Sequence, residues 1–205
     1  MITGPKYKIC RRLGSGVFEK CQTPKFALAE DRHHRNKRRG RRRKNLSDFA
    51  LQLLEKQKMR YTYGVTEKQF SNYVKEALAK RGVNATERLH EHLETRLDNV
   101  VFLLGFAKTR PAARQMISHG HIAINGKRLN IPSYKVGVGN VLSIIERSKN
   151  KPLFNGLPLR LKKHKVPSWI KLDAENIEGV MLDKPKPDKD RAAFDLISII
   201  EFYSR

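Results

Sequence analysis

Arg110, Arg114 and Ser118 recur at intervals of four within TRPAARQMISHGHIAINGKRLN, residues 109–130, and Lys127 and Arg128 close the same stretch. Helical spacing puts the first three on one face, bordered by Gln115. Guanidinium groups on such a face suit phosphate, because a planar fork of N–H donors can bridge two anionic oxygens. Thr109 can cap the helix, and Pro111 is tolerated in a first turn whose amide donors are unpaired anyway. Those open amides also favour an anion. Ala112 and Met116, with Ala113 and Ile117 as further candidates, make up the inward face, and Gly120 can end the helix. Alternation around Asn125-Gly126 then predicts a type I′ hairpin, with Ile122, Ile124 and Leu129 facing a core and Lys127 and Arg128 just past the turn. A solvated face normally mixes both signs of charge, as residues 67–94 do. Residues 99–145 contain no Asp or Glu. An anion-binding surface is the better reading.

The whole chain leans the same way. Its 205 residues carry 43 Lys and Arg against 20 Asp and Glu, a formal net charge of +23. That excess predicts a polyanionic partner, nucleic acid first and an anionic membrane surface second. Residues 1–45 hold 15 basic and 3 acidic side chains, and residues 95–150 hold 9 and 2; the segments 46–94 and 151–205 are nearly balanced. No apolar run approaches the roughly 20 residues of a membrane span. The start, MITGPKYKICRRLG, lacks the apolar centre of a signal peptide, while a transit peptide stays open. The run HHRNKRRGRRRK, residues 33–44, repels itself and buries nothing, so alone it is expected to be disordered and to fold against phosphate. LGSGVF, residues 13–18, lacks the third glycine and the Lys-Ser/Thr of a phosphate loop. Cys10 and Cys21 are the only cysteines; ten intervening residues do not suit a zinc pair, and two reduced thiols in a reducing compartment are expected.

The elements that must hold these groups are legible. An apolar content of 39% permits a modest core, in one large domain or two small ones. LSDFALQLLEKQKMR, residues 46–60, reads as a helix with Ser47 as cap and Leu46 and Leu51 as a staple. Thr66 and Gln69 form a capping box, stapled by Val65 and Phe70, and Phe70, Tyr73, Val74, Ala77 and Leu78 follow helical spacing to a stop at Gly82. A third helix is expected from Thr86 to Leu104, with Leu89, Leu93, Leu97, Val100, Val101 and Leu104 as its stripe. Tyr61 and Tyr63, beside Lys58 and Arg60, could stack on unpaired bases but more often pack a turn. Further strands fit Tyr134–Val136 and Val141–Ile145. No Ser/His/Asp, Cys/His or paired-carboxylate constellation is visible, so no catalytic residue is expected. Asp98 beside Arg96 reads as a salt-bridge or capping partner. An RNA-modifying enzyme would need a separate catalytic domain, for which little chain remains.

RLDNVVFLLGFAKTRPAARQMISHGHIAINGKRLNIPSYKVGVGNVLSI resembles the alpha-L RNA-binding motif, which RNA-modifying enzymes and some tRNA synthetases also carry. LSDFALQLLEKQKMRYTYGVTEKQFSNYVKEA, VPSWIKLD and the ending IEFYSR narrow the resemblance to the bacterial-type small-subunit ribosomal protein four family, over nearly the whole chain. The resemblance implies an α+β fold: a helical first domain, an alpha-L domain inserted into it, and a basic extended N-terminal arm. The corresponding segments are 1–45 for the arm, 46–94 completed by 181–205 for the helical domain, and 95–180 for the alpha-L domain with a strand-rich extension. It implies a primary binder of small-subunit rRNA that nucleates assembly of the subunit body. It also implies a place, with neighbouring ribosomal proteins, around the channel through which mRNA enters, with Arg42 and Arg43 at the positions that help unwind mRNA. Asn45 stands where many relatives have a basic residue. Some relatives carry a four-cysteine zinc site; two cysteines at another spacing do not carry it over, and no cofactor or membrane contact is expected. The expected RNA contacts are Arg35, Lys37, Arg38, Arg39, Arg41, Arg42 and Arg43 in the arm, Lys56, Lys58 and Arg60 in the first domain, and Arg96, Lys108, Thr109, Arg110, Arg114, Gln115, Ser118, His119, Lys127 and Arg128 in the second. The implied place is the cytoplasmic ribosome, with an organellar ribosome left open. Reversing Arg110 and Arg114 to Glu is expected to weaken RNA binding and leave the fold intact.

Overall fold

A computed structural model describes residues 4–38, 46–79, 84–187 and 194–204. The helices, in chain order, are α1 (Lys6–Leu13), α2 (Pro24–Arg38), α3 (Asp48–Tyr63), α4 (Glu67–Ala79), α5 (Ala85–Glu94), α6 (Leu97–Leu103), α7 (Arg110–Ser118), α8 (Glu146–Lys149), α9 (Leu157–Lys162) and α10 (Leu196–Tyr203). The strands are β1 (Ile122–Ile124), β2 (Lys127–Arg128), β3 (Val141–Ile144), β4 (Ile170–Asp173) and β5 (Glu178–Met181). The class is α+β, as expected. The chain forms two compact units: Met1–Thr86 with Asp188–Arg205, and Glu87–Pro187 between them. No helix of the described residues is long and apolar enough to cross a membrane.

The first unit is helical. Ser47 Oγ accepts from the Ala50 amide to start α3, and Gly64, at φ 64°, ends it in the left-handed conformation. Leu46 and Leu51 are 55% and 49% exposed, so the expected staple buries little. Of the box expected at Thr66 the capping half is present, with Gln69 N donating to Thr66 Oγ1 at 3.3 Å, and Val65 and Phe70 are fully buried. Phe70, Val74 and Ala77 are the inward face of α4, whereas Leu78 is exposed. Returning from the second unit, the chain adds α10, capped by the Asp195 carboxylate on the amides of Ile197 and Ser198. Tyr203 donates to Glu67 at 2.7 Å, Gln52 to Glu201 at 2.9 Å, and Phe49 lies 5.4 Å from Phe202. Tyr63 is buried beside Phe194, and Tyr61 packs edge-on to Phe18, so both tyrosines serve packing.

Two expectations for the N-terminal segment fail. Residues 6–38 are not an extended arm: α1, two short 3-10 turns and α2 enclose Cys10, Leu13, Val17, Cys21 and Phe26, packed against Leu54 and Tyr61 of α3. High charge density masks that small core, because its apolar residues are spread one or two per turn. Cys10 and Cys21 are not two free thiols but a disulfide, with Cα atoms 6.6 Å apart. The turns at Ser15–Val17 and Glu19–Cys21 fold the ten intervening residues back, which the linear spacing conceals. Among the described residues no group of three His, Cys, Asp or Glu could hold a metal.

The second unit packs α6 and α7 on an antiparallel sheet of order β2-β1-β3-β5-β4. Ile122 opposes Ile144, Val141 opposes Val180, and Ile170 opposes Met181. Ile122, Ile124, Leu142, Ile144, Ile170 and Met181 meet Leu97, Val100, Val101, Leu104, Ala113, Met116 and Ile117 in one core. Gly179 is needed there, since a Cβ would overlap the Leu104 side chain. The single helix expected over 86–104 is two. Arg96 leaves helical geometry at φ −62°, ψ 136°. The backbone around the break bonds elsewhere: Leu97 N donates to Tyr134 O and Val136 N to Thr95 O, both at 2.9 Å. Consequently residues 134–136 form no strand in the sheet, only a bridge between Lys135 and Arg96. Glu91 pairs with Lys135 at 2.9 Å, which ties α5 to this unit.

Candidate nucleic-acid interface

α7 and the β1–β2 hairpin form as their residue types demand. Thr109 Oγ1 accepts from the Ala112 amide at 3.3 Å, and Pro111 occupies the first turn. Ala113, Met116 and Ile117 are buried, while Gln115, Ser118 and His119 are exposed and Arg110 and Arg114 half-buried. Asn125 and Gly126 have φ of 49° and 76°, the left-handed pair of a type I′ turn. Asn125 Oδ1 accepts from Val141 N at 2.8 Å, pinning the turn to β3. Lys127, Arg128 and Lys108 are exposed. The Arg128 guanidinium lies against Gly120, where any Cβ would overlap it, and donates toward His119 O at 3.5 Å. Hairpin and helix end thus share one basic surface.

Beneath it sits a carboxylate. Asp98 is 2% and Arg96 3% exposed. Arg96 forks onto Asp98 through Nε (3.0 Å) and Nη2 (2.9 Å). Arg114 approaches Asp98 Oδ2 through Nε at 3.0 Å and Nη2 at 2.6 Å, with its side chain still 27% exposed. Beside them Asn99, 1% exposed, accepts from Arg110 Nε at 2.9 Å and donates to Glu94. The Arg110 guanidinium lies 4.4 Å from the centre of the Phe102 ring. Asp98 is the salt-bridge partner expected of it, but it serves two arginines. Two guanidiniums on one carboxylate leave a net positive charge.

Other expected contacts are placed differently. Lys56 is 7% exposed, 2.6 Å from Glu67 and over the rings of Phe202 and Tyr203. Lys58 pairs with Glu55 at 2.6 Å. Arg60 lies 3.6 Å from Glu67 and stacks on Tyr61. Arg96 and Lys56 are therefore buried components of their units rather than exposed groups. Arg35, Lys37 and Arg38 are on α2, and Arg39, Arg41, Arg42 and Arg43 fall outside the described residues. His121 is 9% exposed, its Nδ1 2.9 Å from Ser148 Oγ. Burial, then the charges of Lys151, His119 and Arg128, hold its pKa below the ordinary histidine value.

One basic run went unnoticed in the sequence, RLKKHK at residues 160–165. Arg160 donates to the carbonyls of Gly105 (2.8 Å) and Phe106 (3.1 Å), and His164 to that of Leu103 (2.8 Å). These bonds satisfy the last carbonyl of α6 and two carbonyls of the loop that follows it. They fasten exposed Lys162, Lys163 and Lys165 near the loop that carries Lys108. Four basic residues in six was the available signal.

Residues 1–94 match the family described as ribosomal protein S4/S9 N-terminal domain, and residues 95–142 match the S4 domain. The chain is 42% identical over 206 residues to the small ribosomal subunit protein uS4 of Heliobacterium modesticaldum, covering 99% of this chain and 98% of that one. It is 40% identical over 205 residues to the protein of that name from Thermus thermophilus, covering 98% of each. The one from Persephonella marina is 43% identical over 205 residues, covering 98% of this chain and 97% of its own.

Proposed function

Because the chain belongs to the ribosomal protein S4 family, that of the small-subunit protein uS4, we propose that it is a structural, non-catalytic constituent of the small ribosomal subunit that binds rRNA. The observation that carries the reading is the single basic surface of α7 and the β1–β2 hairpin, from a stretch that holds no acid between residues 99 and 145. Lys127, Arg128 and Lys108, with Lys162, Lys163 and Lys165, supply exposed cations for phosphate. Arg110 and Arg114 supply oriented guanidiniums, and Thr109, Gln115, Ser118 and His119 supply polar contacts at the same surface. Phosphate neutralisation releases counterions, so affinity for a small-subunit rRNA fragment is expected to fall steeply with salt in a filter-binding assay. A flat salt response would refute a phosphate-gripping surface. The protein is also expected to sediment with small subunits through a high-salt wash.

The finer role follows from the same reading. The protein nucleates assembly of the subunit body and lies in the cytoplasmic ribosome among neighbouring small-subunit proteins. There Arg42 and Arg43 help to unwind mRNA entering its channel. Replacing both with Ala is expected to slow translation through a stable mRNA hairpin while leaving an unstructured message unaffected. Equal rates on both messages would remove the mRNA role.

A further inference from the structure

We propose that Asp98 and Asn99 are positioning residues for RNA binding: they pre-set the guanidiniums of Arg114 and Arg110 on the outer face of α7. The proposal rests on that face being the RNA surface, and it assigns a task to two residues that touch no RNA themselves. Both stand in the first turn of α6, where amide donors favour an acidic or polar side chain. Both are almost fully buried, so their own geometry is fixed. The Asp98 carboxylate receives two bonds from Arg96 and two from Arg114, and the Asn99 carbonyl receives the Arg110 Nε.

An arginine ordinarily loses rotamer freedom when it grips an anion, and the loss subtracts from affinity. Here the loss is already taken on folding, so the RNA meets guanidiniums in one orientation. The price in charge is limited, because Arg96 shares the carboxylate and the cluster stays net positive. This also explains why Arg96 is buried. It balances Asp98, so that Arg114 is aimed by the acid without being cancelled by it. A carboxylate alone under α7 would attract Arg114 and repel RNA in equal measure.

The test is a double-mutant cycle on affinity for a small-subunit rRNA fragment, measured at temperatures where circular dichroism shows each variant folded. Asp98→Asn and Arg114→Gln are each expected to weaken binding about three- to tenfold, the cost of immobilising one long side chain. The double variant should bind no worse than Arg114→Gln. Arg114→Lys keeps the charge but lacks the fork, and it should lose about as much as Arg114→Gln. If Asp98→Asn does not fold, Asn99→Ala, which frees Arg110 alone, is expected to weaken binding several-fold. Additive losses in the cycle, wild-type affinity for Arg114→Lys, or a lowered melting temperature with unchanged affinity would each overturn the proposal. Failure of the surface itself reads differently: Lys127→Ala with Arg128→Ala would then bind like wild type.

Discussion

Lys56, Lys58 and Arg60 on α3 and Lys127 and Arg128 on the hairpin look alike in sequence, yet the two regions use them in opposite ways. On α3 each cation meets a carboxylate or a ring: Glu67, Glu55, Tyr61, Phe202 or Tyr203. In the second unit residues 99–145 offer no carboxylate; just before them Asp98 is shared by Arg96 and Arg114, and Glu94 accepts from Asn99. A run of basic residues becomes a binding surface where the local supply of acid gives out. Its density of positive charge is a poorer guide.

The strongest way to break this contrast is to reverse charge at the shared acid. Arg114→Glu places a second carboxylate against buried Asp98 and is expected to destabilise the second unit by about 3 kcal/mol in denaturant melts. The expectation that such a reversal leaves the fold intact is therefore revised for Arg114. Next, Lys127→Ala with Arg128→Ala should lower rRNA affinity about tenfold or more and reduce the salt slope by about 2, with melting unchanged. Lys58→Ala on α3 should stay within about twofold of wild type in the same assay. Third, Lys56→Ala should lower the stability of the first unit by about 1–2 kcal/mol, through the stem and ring contacts it loses, while folded protein binds normally.

The smallest effect is the response to acid. His121 and His90 in the second unit are held below the ordinary histidine value, in both cases first by burial. Their contribution is complete above about pH 6.5 and is lost as pH falls through their lowered values. Glu67 in the first unit is lowered too. Burial alone would raise it, but hydrogen bonds from Lys56 and Tyr203 and the charges of Lys56 and Arg60 prevail. Its contribution is complete above the usual carboxylate range and is lost only as pH falls below it. Trp169 is the chain's single tryptophan and lies in the second unit. Its fluorescence is expected to report loosening at a higher pH than circular dichroism reports for the chain as a whole. Coincident curves would remove the distinction.

What the sequence disclosed and what it hid divide along one line, the range of the interactions involved. Thr109, Thr66 and Ser47 announce their helices, and Asn125-Gly126 its hairpin, because caps and tight turns are satisfied within three or four residues. The break at Arg96 stayed hidden, since Leu89, Leu93, Leu97, Val101 and Leu104 keep helical spacing straight across it. Its cause, the backbone of residues 134–136, is distant in the chain. The β4–β5 hairpin is foreshadowed only as a strand-rich extension without positions, for a related reason: Gly179 weakens the strand pattern and is there for Leu104. At the surface, residue type identified Lys127 and Arg128 correctly as exposed. Burial of Lys56 depended on α10, which arrives from the other end of the chain.

The backbone bonds at Thr95, Leu97 and Asp98 have one more consequence, which concerns time. They reach Val136, Tyr134 and Pro132, so they clasp the two ends of a long loop that contains α6, α7 and the hairpin. Closing a long loop adds little to its entropic penalty, about 0.6 kcal/mol for each doubling of length. But the clasp cannot engage before its far half exists. A nascent chain that stops short of Val136 can wind α7 and turn at Asn125, yet it has nothing to hold the start of α6 in its extended step. The step that opens α6 therefore waits for residues 132–136 to be made.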